Sequence, residues 1–76
     1  NGNTKRGIGM DYTQWAQAYF KEAEAIRAAL APIRAALKRP HLRVEESREL
    51  TRREHILYQM YLECRETGLL LQRRAS

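Results

Sequence analysis

Arginine side chains are concentrated in the middle of the chain, where their guanidinium groups could bind phosphate or carboxylate groups. Between residues 34 and 53 the sequence has seven basic and three acidic residues, so this stretch carries four of the five net positive charges. The candidate contacts for an anion or a nucleic acid are Arg39, Arg43, Arg48 and Arg52. No aromatic residue lies among them to stack on bases, so the pattern is also typical of a solvated surface.

Thiol and imidazole groups are the other side chains that could do chemistry, and they are few. Cys64 is the only cysteine, which excludes a disulfide within the chain. Neither His41 nor His55 follows a glutamate at the three-residue spacing of di-iron bundles. A glycine-rich phosphate loop with its lysine is also absent. We therefore predict that the protein is not an enzyme and has no catalytic residue, metal, cofactor or small-molecule substrate.

The elements that position these side chains are predicted to be helices, because the apolar residues repeat every seven positions. Asp11 is placed to cap the first helix, with Gln14 three residues later as in a capping box. Two uninterrupted apolar rows follow: Tyr12, Tyr19, Ile26 and Ile33, and Ala16, Ala23, Leu30 and Leu37. This pattern predicts a first helix at about 11–38.

Two prolines bear on the shape and the end of this first helix. Pro32 removes a backbone donor and predicts a kink, but the apolar rows continue in phase beyond it. One kinked helix is therefore favoured over two separate helices. Pro40 disfavours helical geometry in the residue before it, so we expect the helix to end near Lys38 or Arg39. The turn is predicted at 39–43.

A second helix is predicted at about 44–72 by another heptad pattern. One row contains Leu50, Leu57, Cys64 and Leu71, and the alternate row contains Tyr61 and Gly68. A later start is the alternative, because Thr51 and Glu54 have the spacing of a capping box. Gly68 has two interpretations, either the end of the helix or a point of close packing inside it.

A turn this short makes the two helices antiparallel neighbours. Folding the apolar rows together pairs Ile33 with Leu50 and Ile26 with Leu57. Two arginines that flank the rows are then expected near acidic residues of the second helix, Arg27 near Glu54, and Arg34 near Glu49 or Glu46.

The apolar surface is wider than one partner helix can cover. The residues beside or outside the rows form a candidate interface: Trp15, Phe20, Ile56, Tyr58, Met60 and Leu62. A second hairpin would cover many of them. The predicted fold is therefore all-α, an antiparallel two-helix hairpin with a coiled-coil-like core that dimerises into a four-helix bundle.

Length and composition suit a single small domain of 76 residues. We expect residues 1–10 to be a flexible N-terminal segment or linker and residues 11–74 to form the hairpin. No apolar run approaches the roughly 18–20 residues of a membrane span, so no membrane partner is expected. A single free cysteine and the absence of a signal peptide favour the cytoplasm.

The sequence therefore predicts a non-catalytic helical interaction module. Its expected partner is itself, as a homodimer, or another helical protein. The alternative is a small helical hairpin that binds nucleic acid through its basic tip.

Overall fold

The computed structural model describes residues 11–75, and in this range it contains two α-helices and no β-strand. Helix α1 spans Tyr12–Leu37 and helix α2 spans Val44–Ala75. They pack against each other as an antiparallel hairpin. The predicted all-helical hairpin is thus confirmed. The predicted flexible segment at 1–10 lies outside the described residues.

The start of α1 is stabilised by Asp11, as the sequence predicts. The backbone N–H of Gln14 donates a hydrogen bond to the Asp11 carboxylate over 3.1 Å. The N–H of Trp15 donates to the Asp11 carbonyl oxygen over 2.9 Å. An N-terminal cap of this kind contributes about 1 kcal/mol to helix stability.

Helix α1 continues through Pro32 as one helix. Proline has no N–H to donate to the carbonyl four residues earlier, which costs about 3 kcal/mol in a helix interior. Packing against α2 offsets this cost, because α1 buries Leu30 before the proline and Ala36 after it. The apolar rows that continue in phase beyond Pro32 are therefore what keeps the helix whole.

The turn between the helices contains two backbone hydrogen bonds between residues three apart and one residue with a left-handed backbone conformation. The N–H groups of Lys38 and Arg39 donate to the carbonyl oxygens of Ala35 and Ala36 over 3.2 and 3.1 Å. His41 has a φ of 61°, in the left-handed region that residues other than glycine rarely adopt. Helix α2 begins directly at Val44, so the later start at the second capping box is wrong.

The core is a narrow seam between the two helices. Its buried apolar residues are Ala16, Ala23, Ile26, Leu30, Ala36 and Leu71. Leu30, with 1% of its surface exposed, is the largest fully buried side chain among the described residues. On α2 the partly buried row also includes Ser47 and Glu54, so the heptad pattern extends toward the tip through polar residues.

Two contacts between the helices set the register, and they differ from the predicted one. The predicted pairing places Arg34 opposite Glu49 and Phe20 opposite residue 63. Instead, Arg34 bonds to Glu54, and Phe20 lies against Gly68. Both observed partners are five positions further along α2 than predicted. The predicted pairings of Ile33 with Leu50 and Ile26 with Leu57 are therefore wrong by about one turn.

The physical reason for this error is that the rows on each helix alternate, so several registers bury equal apolar surface. Only a pair of residues that breaks the repeat distinguishes between them. Gly68 is the only glycine in residues 11–75, and it accepts the large ring of Phe20. Of the two interpretations of Gly68, close packing inside the helix is therefore correct.

Replacing the most buried side chain should destabilise the hairpin strongly. We expect Leu30→Ala to lower the free energy of unfolding by about 2–5 kcal/mol, because it leaves a cavity in the seam. Gln59→Ala is the matched control, since Gln59 is exposed on the outward face of α2 whereas Leu30 is 1% exposed. Urea denaturation followed by circular dichroism would measure both changes, and equal losses would contradict the described core.

The contact between Phe20 and Gly68 predicts that Gly68→Ala destabilises the wild-type chain but stabilises a chain that lacks the Phe20 ring. A methyl group at position 68 would lie 2.7 Å from Phe20 Cε1, so Gly68→Ala should lower stability by about 1–3 kcal/mol. In a Phe20→Ala background the space is open, and alanine should instead stabilise the helix by about 0.5–1 kcal/mol relative to glycine. Equal effects of Gly68→Ala in both backgrounds would show that the register is wrong.

Candidate functional site

The paired helices leave two long uncovered sides, one on each side of the buried rows. Residues three or four apart share one side of a helix. Arg34 and Tyr58 meet across one of these sides, because the Arg34 guanidinium carbon lies 5.5 Å from the centroid of the Tyr58 ring. Residues that share a helix side with either of them therefore belong to the same side of the hairpin.

We call this side the basic flank. Helical spacing assigns to it Phe20, Arg27 and Arg34 on α1, and Tyr58, Leu62, Arg65 and Leu69 on α2. Arg27 and Arg34 line a shallow cleft on this flank together with Leu30, Tyr58 and Tyr61. Phe20 is half-buried against Gly68, whereas Tyr58 and Leu62 are each 40% exposed. The basic flank therefore presents cationic, aromatic and aliphatic groups together.

Arg34 is held in place on the basic flank by two neighbours on α2. Its Nε donates a hydrogen bond to Glu54 Oε2 over 2.9 Å. Its guanidinium group lies over Tyr58, whose ring stacks on Tyr61 with 6.0 Å between centroids. The ion pair is worth about 0.2–1 kcal/mol, because both side chains are partly exposed to water. The other flanking arginine, Arg27, pairs within its own helix, where its Nη1 lies 3.8 Å from Glu24 Oε2. It forms no ion pair with Glu54, in contrast to the prediction.

The opposite side is the acidic flank, and its α1 part consists mostly of small residues. Helical spacing assigns to it Trp15, Ala18, Glu22, Ala25, Ala29 and Pro32 on α1, and Ile56, Met60, Glu63 and Leu70 on α2. All ten residues are exposed. Trp15, Ala18 and Glu22 line a shallow cleft with Tyr19, and the Trp15 ring stacks on Tyr12 with 6.2 Å between centroids.

The two flanks carry opposite charge. Counted along the described helices, the basic side has four basic and two acidic residues: Arg27, Arg34, Arg48 and Arg65, with Glu24 and Glu54. The acidic side has four acidic and two basic residues: Glu22, Glu46, Glu49 and Glu63, with Arg53 and Arg74. The net charge of the helices is therefore segregated between the two faces of the hairpin.

The structure divides the predicted interface residues between the two flanks. Phe20, Tyr58 and Leu62 lie on the basic flank, whereas Trp15, Ile56 and Met60 lie on the acidic flank. The six residues therefore do not form one continuous patch. Each flank has its own exposed apolar surface, and their role as an interface stays a prediction.

At the tip of the hairpin the arginines lie among glutamates. Arg39 lines a cleft with Glu45, Glu46 and Glu49. Arg52 Nε lies 3.8 Å from the Glu49 carboxylate, and Arg53 Nε lies 3.3 Å from it. The other two candidates, Arg43 and Arg48, are exposed and form no ion pair with a described residue. Anion binding by Arg39, Arg43, Arg48 and Arg52 stays a prediction.

The remaining chemistry-bearing side chains are dispersed. Cys64 is a half-buried free thiol in the seam, and both histidines are exposed. Within residues 11–75, no group of three or more histidine, cysteine, aspartate or glutamate side chains is arranged to hold a metal ion. Neither α1 nor α2 is long and apolar enough to cross a membrane.

Sequence reasoning did not identify the flanks, although their signal is present in the chain. Along the sequence the charges are concentrated near the tip, whereas the flanks combine residues that lie far apart in the chain. Grouped by heptad position instead, Arg27 and Arg34 fall on one side of α1, and Glu22 falls on the other. The alanines at positions 18, 25 and 29 follow the same spacing as Glu22.

Comparisons with known proteins found no family model that matches the chain, no similar curated protein and no similar solved structure.

Proposed function

We propose that this chain is a non-catalytic helical interaction module that associates through its uncovered flanks. The partner is a second copy of the chain or the helices of a larger protein. Two hairpins placed side by side would form a four-helix bundle with a homodimer as its smallest unit. No catalytic residue takes part in this function.

The observation that carries the proposal is the amount of large apolar surface left uncovered on both sides of the hairpin. The exposed large apolar residues of the described chain are Trp15, Val44, Ile56, Tyr58, Met60, Leu62, Leu69 and Leu70. Their exposed fractions range from 39% to 63%. Exposed apolar residues that share one helix side typically mark surfaces that bind another protein.

The narrow core supports the same proposal on energetic grounds. Chains of this size rarely gain more than about 3–5 kcal/mol from their own core without disulfides, metals or partners. Here three of the six buried apolar residues are alanines, which bury little surface. Apolar surface removed from water by a partner contributes about 25 cal/mol per Å², before the entropic cost of association is subtracted. Covering Ile56 and Met60 on one flank, or Tyr58 and Leu62 on the other, supplies what the seam lacks.

Self-association is tested by sedimentation equilibrium across micromolar concentrations. We expect the average mass to rise well above the 8.9 kDa of one chain. Ile56→Gln with Met60→Gln should weaken association, because it makes the middle of the acidic flank polar. Ala28→Gln with Ala35→Gln is the matched control on the outward face of α1 and should have no effect. A mass of 8.9 kDa at every concentration would contradict self-association.

The second candidate function is nucleic-acid binding by the tip. It is favoured by Arg43 and Arg48, which are exposed and have no ion-pair partner among the described residues. Arginines that bind phosphate groups displace the counterions bound there. The affinity of such binding therefore falls steeply as the salt concentration rises. The tyrosine nearest to the tip, Tyr58, is already in contact with Arg34 and stacked on Tyr61, so stacking on bases would compete with these contacts.

Fluorescence polarisation with generic RNA and DNA at two salt concentrations tests this second function. If the tip binds phosphates, affinity should fall by an order of magnitude or more between low and moderate salt. Arg48→Glu with Arg52→Glu should abolish this binding without loss of helicity, since both residues are exposed. Lys21→Glu with Arg65→Glu removes the same charge away from the tip and should leave most of the binding. Salt-independent binding, or no binding, would reject the tip as a nucleic-acid site.

A further inference from the structure

Four charged residues lie at the same level near the middle of the hairpin, two on each flank. The register set by Phe20 and Gly68 places residue 65 level with residue 23, and residue 63 level with residue 25. Arg27 and Arg65 on the basic flank are therefore within about one helical turn of the level of Glu22 and Glu63 on the acidic flank. The hairpin thus has a positive and a negative band at one height, on opposite faces.

Pairing of two copies through the same flank would bring like charges together. If two acidic flanks met in register, Glu22 and Glu63 would face the same residues of the other copy. If two basic flanks met, Arg27 and Arg65 would face Arg27 and Arg65 of the other copy. Like charges facing each other across an interface cost several kcal/mol. Pairing of one flank with the opposite flank of another copy brings the two bands into contact with opposite sign.

We propose that the chain assembles heterologously, with the basic flank of one copy packed on the acidic flank of the next. This inference rests on the self-association proposed above and adds which surfaces meet. The occupant of each flank is a second copy of the chain, because both complementary surfaces belong to the same molecule. Interfaces of this type use two different patches and leave one of each uncovered after two copies have bound.

The shapes of the two flanks are also complementary. On the acidic flank, Ala25 and Ala29 are small and exposed, so α1 offers a shallow surface there. On the basic flank, Tyr58 and Leu62 are large and 40% exposed. Tyrosine, arginine and large apolar side chains that fill a surface lined by smaller residues are typical anchors of protein interfaces.

Heterologous packing predicts assembly that does not end at two copies. A complex of two copies still exposes one basic and one acidic flank, so it either closes into a ring or grows as a filament. In sedimentation equilibrium the average mass should therefore pass twice 8.9 kDa as the concentration rises. A plateau at two chains would overturn the proposal and leave self-association intact.

Charge reversal on one flank at a time separates the two kinds of pairing. Variant one carries Arg27→Glu with Arg65→Glu, which makes both flanks acidic. Variant two carries Glu22→Arg with Glu63→Arg, which makes both flanks basic. All four residues are exposed, and Arg27 has 68% of its side chain exposed, so both variants should keep the helical circular dichroism spectrum. Each variant alone should associate at least about tenfold more weakly than the wild type.

An equimolar mixture of the two variants tests whether opposite charges on the flanks drive the association. Every contact between unlike chains again joins opposite charges, so the mixture should recover association close to that of the wild type. The recovered association should weaken as salt screens the bands. A mixture no stronger than either variant alone would overturn heterologous packing.

Matched controls separate the flank effect from a change in net charge. Lys21→Glu with Arg52→Glu changes net charge as variant one does, and Glu45→Arg with Glu66→Arg changes it as variant two does. These four exposed residues lie on the outward faces of the helices and should leave association within about threefold of the wild type. Equal weakening by controls and flank variants would also overturn the proposal. A wild-type chain that stays at 8.9 kDa would reject self-association itself, which is a different result.

Discussion

The close approach of Phe20 to Gly68 sets how far α1 lies along α2, and the other contacts between the helices follow from it. A side chain at position 68 would meet the phenylalanine ring at 2.7 Å, so only glycine accepts it without movement. The hydrogen bond from Arg34 to Glu54 lies in the same register, because fourteen residues separate the two contacts on each helix. One steric contact and one polar contact thus select the same alignment.

This alignment has a consequence for the surface as well as for the core. It places Arg65 level with residue 23 and Glu63 level with residue 25, near Arg27 and Glu22 respectively. A register different by five residues would displace these charges along the rod by about 7 Å, since each helical residue rises 1.5 Å. Arg65 would then lie level with residue 18, nine residues from Arg27 instead of four, so the two arginines would no longer form one band. The contact that orders the core therefore also decides how closely the two arginines of the basic flank are grouped.

The heptad pattern was sufficient to predict two helices, the cap at Asp11 and the continuity of α1 through Pro32, because all three depend on local sequence and on apolar spacing. The register was not predictable in the same way. Ile26 and Leu57 belong to rows that repeat every seven residues, and sliding one row along the other changes little apolar burial. The flanks were missed for a related reason, since Arg27 and Glu22 are assigned to faces only when charges are grouped around the helix rather than along the chain.

The proposed association would couple to the stability of the hairpin through the same residues. Partners that bind only the folded chain stabilise it in proportion to the logarithm of their concentration. The seam contains one fully buried large side chain, Leu30, whereas Ile56, Met60 and Leu70 remain at least 44% exposed. The apolar surface that could stabilise the fold therefore lies largely outside the single-chain core. Under the proposed self-association, each flank that a second copy covers would stabilise the hairpin, and its folding equilibrium would depend on the concentration of the chain.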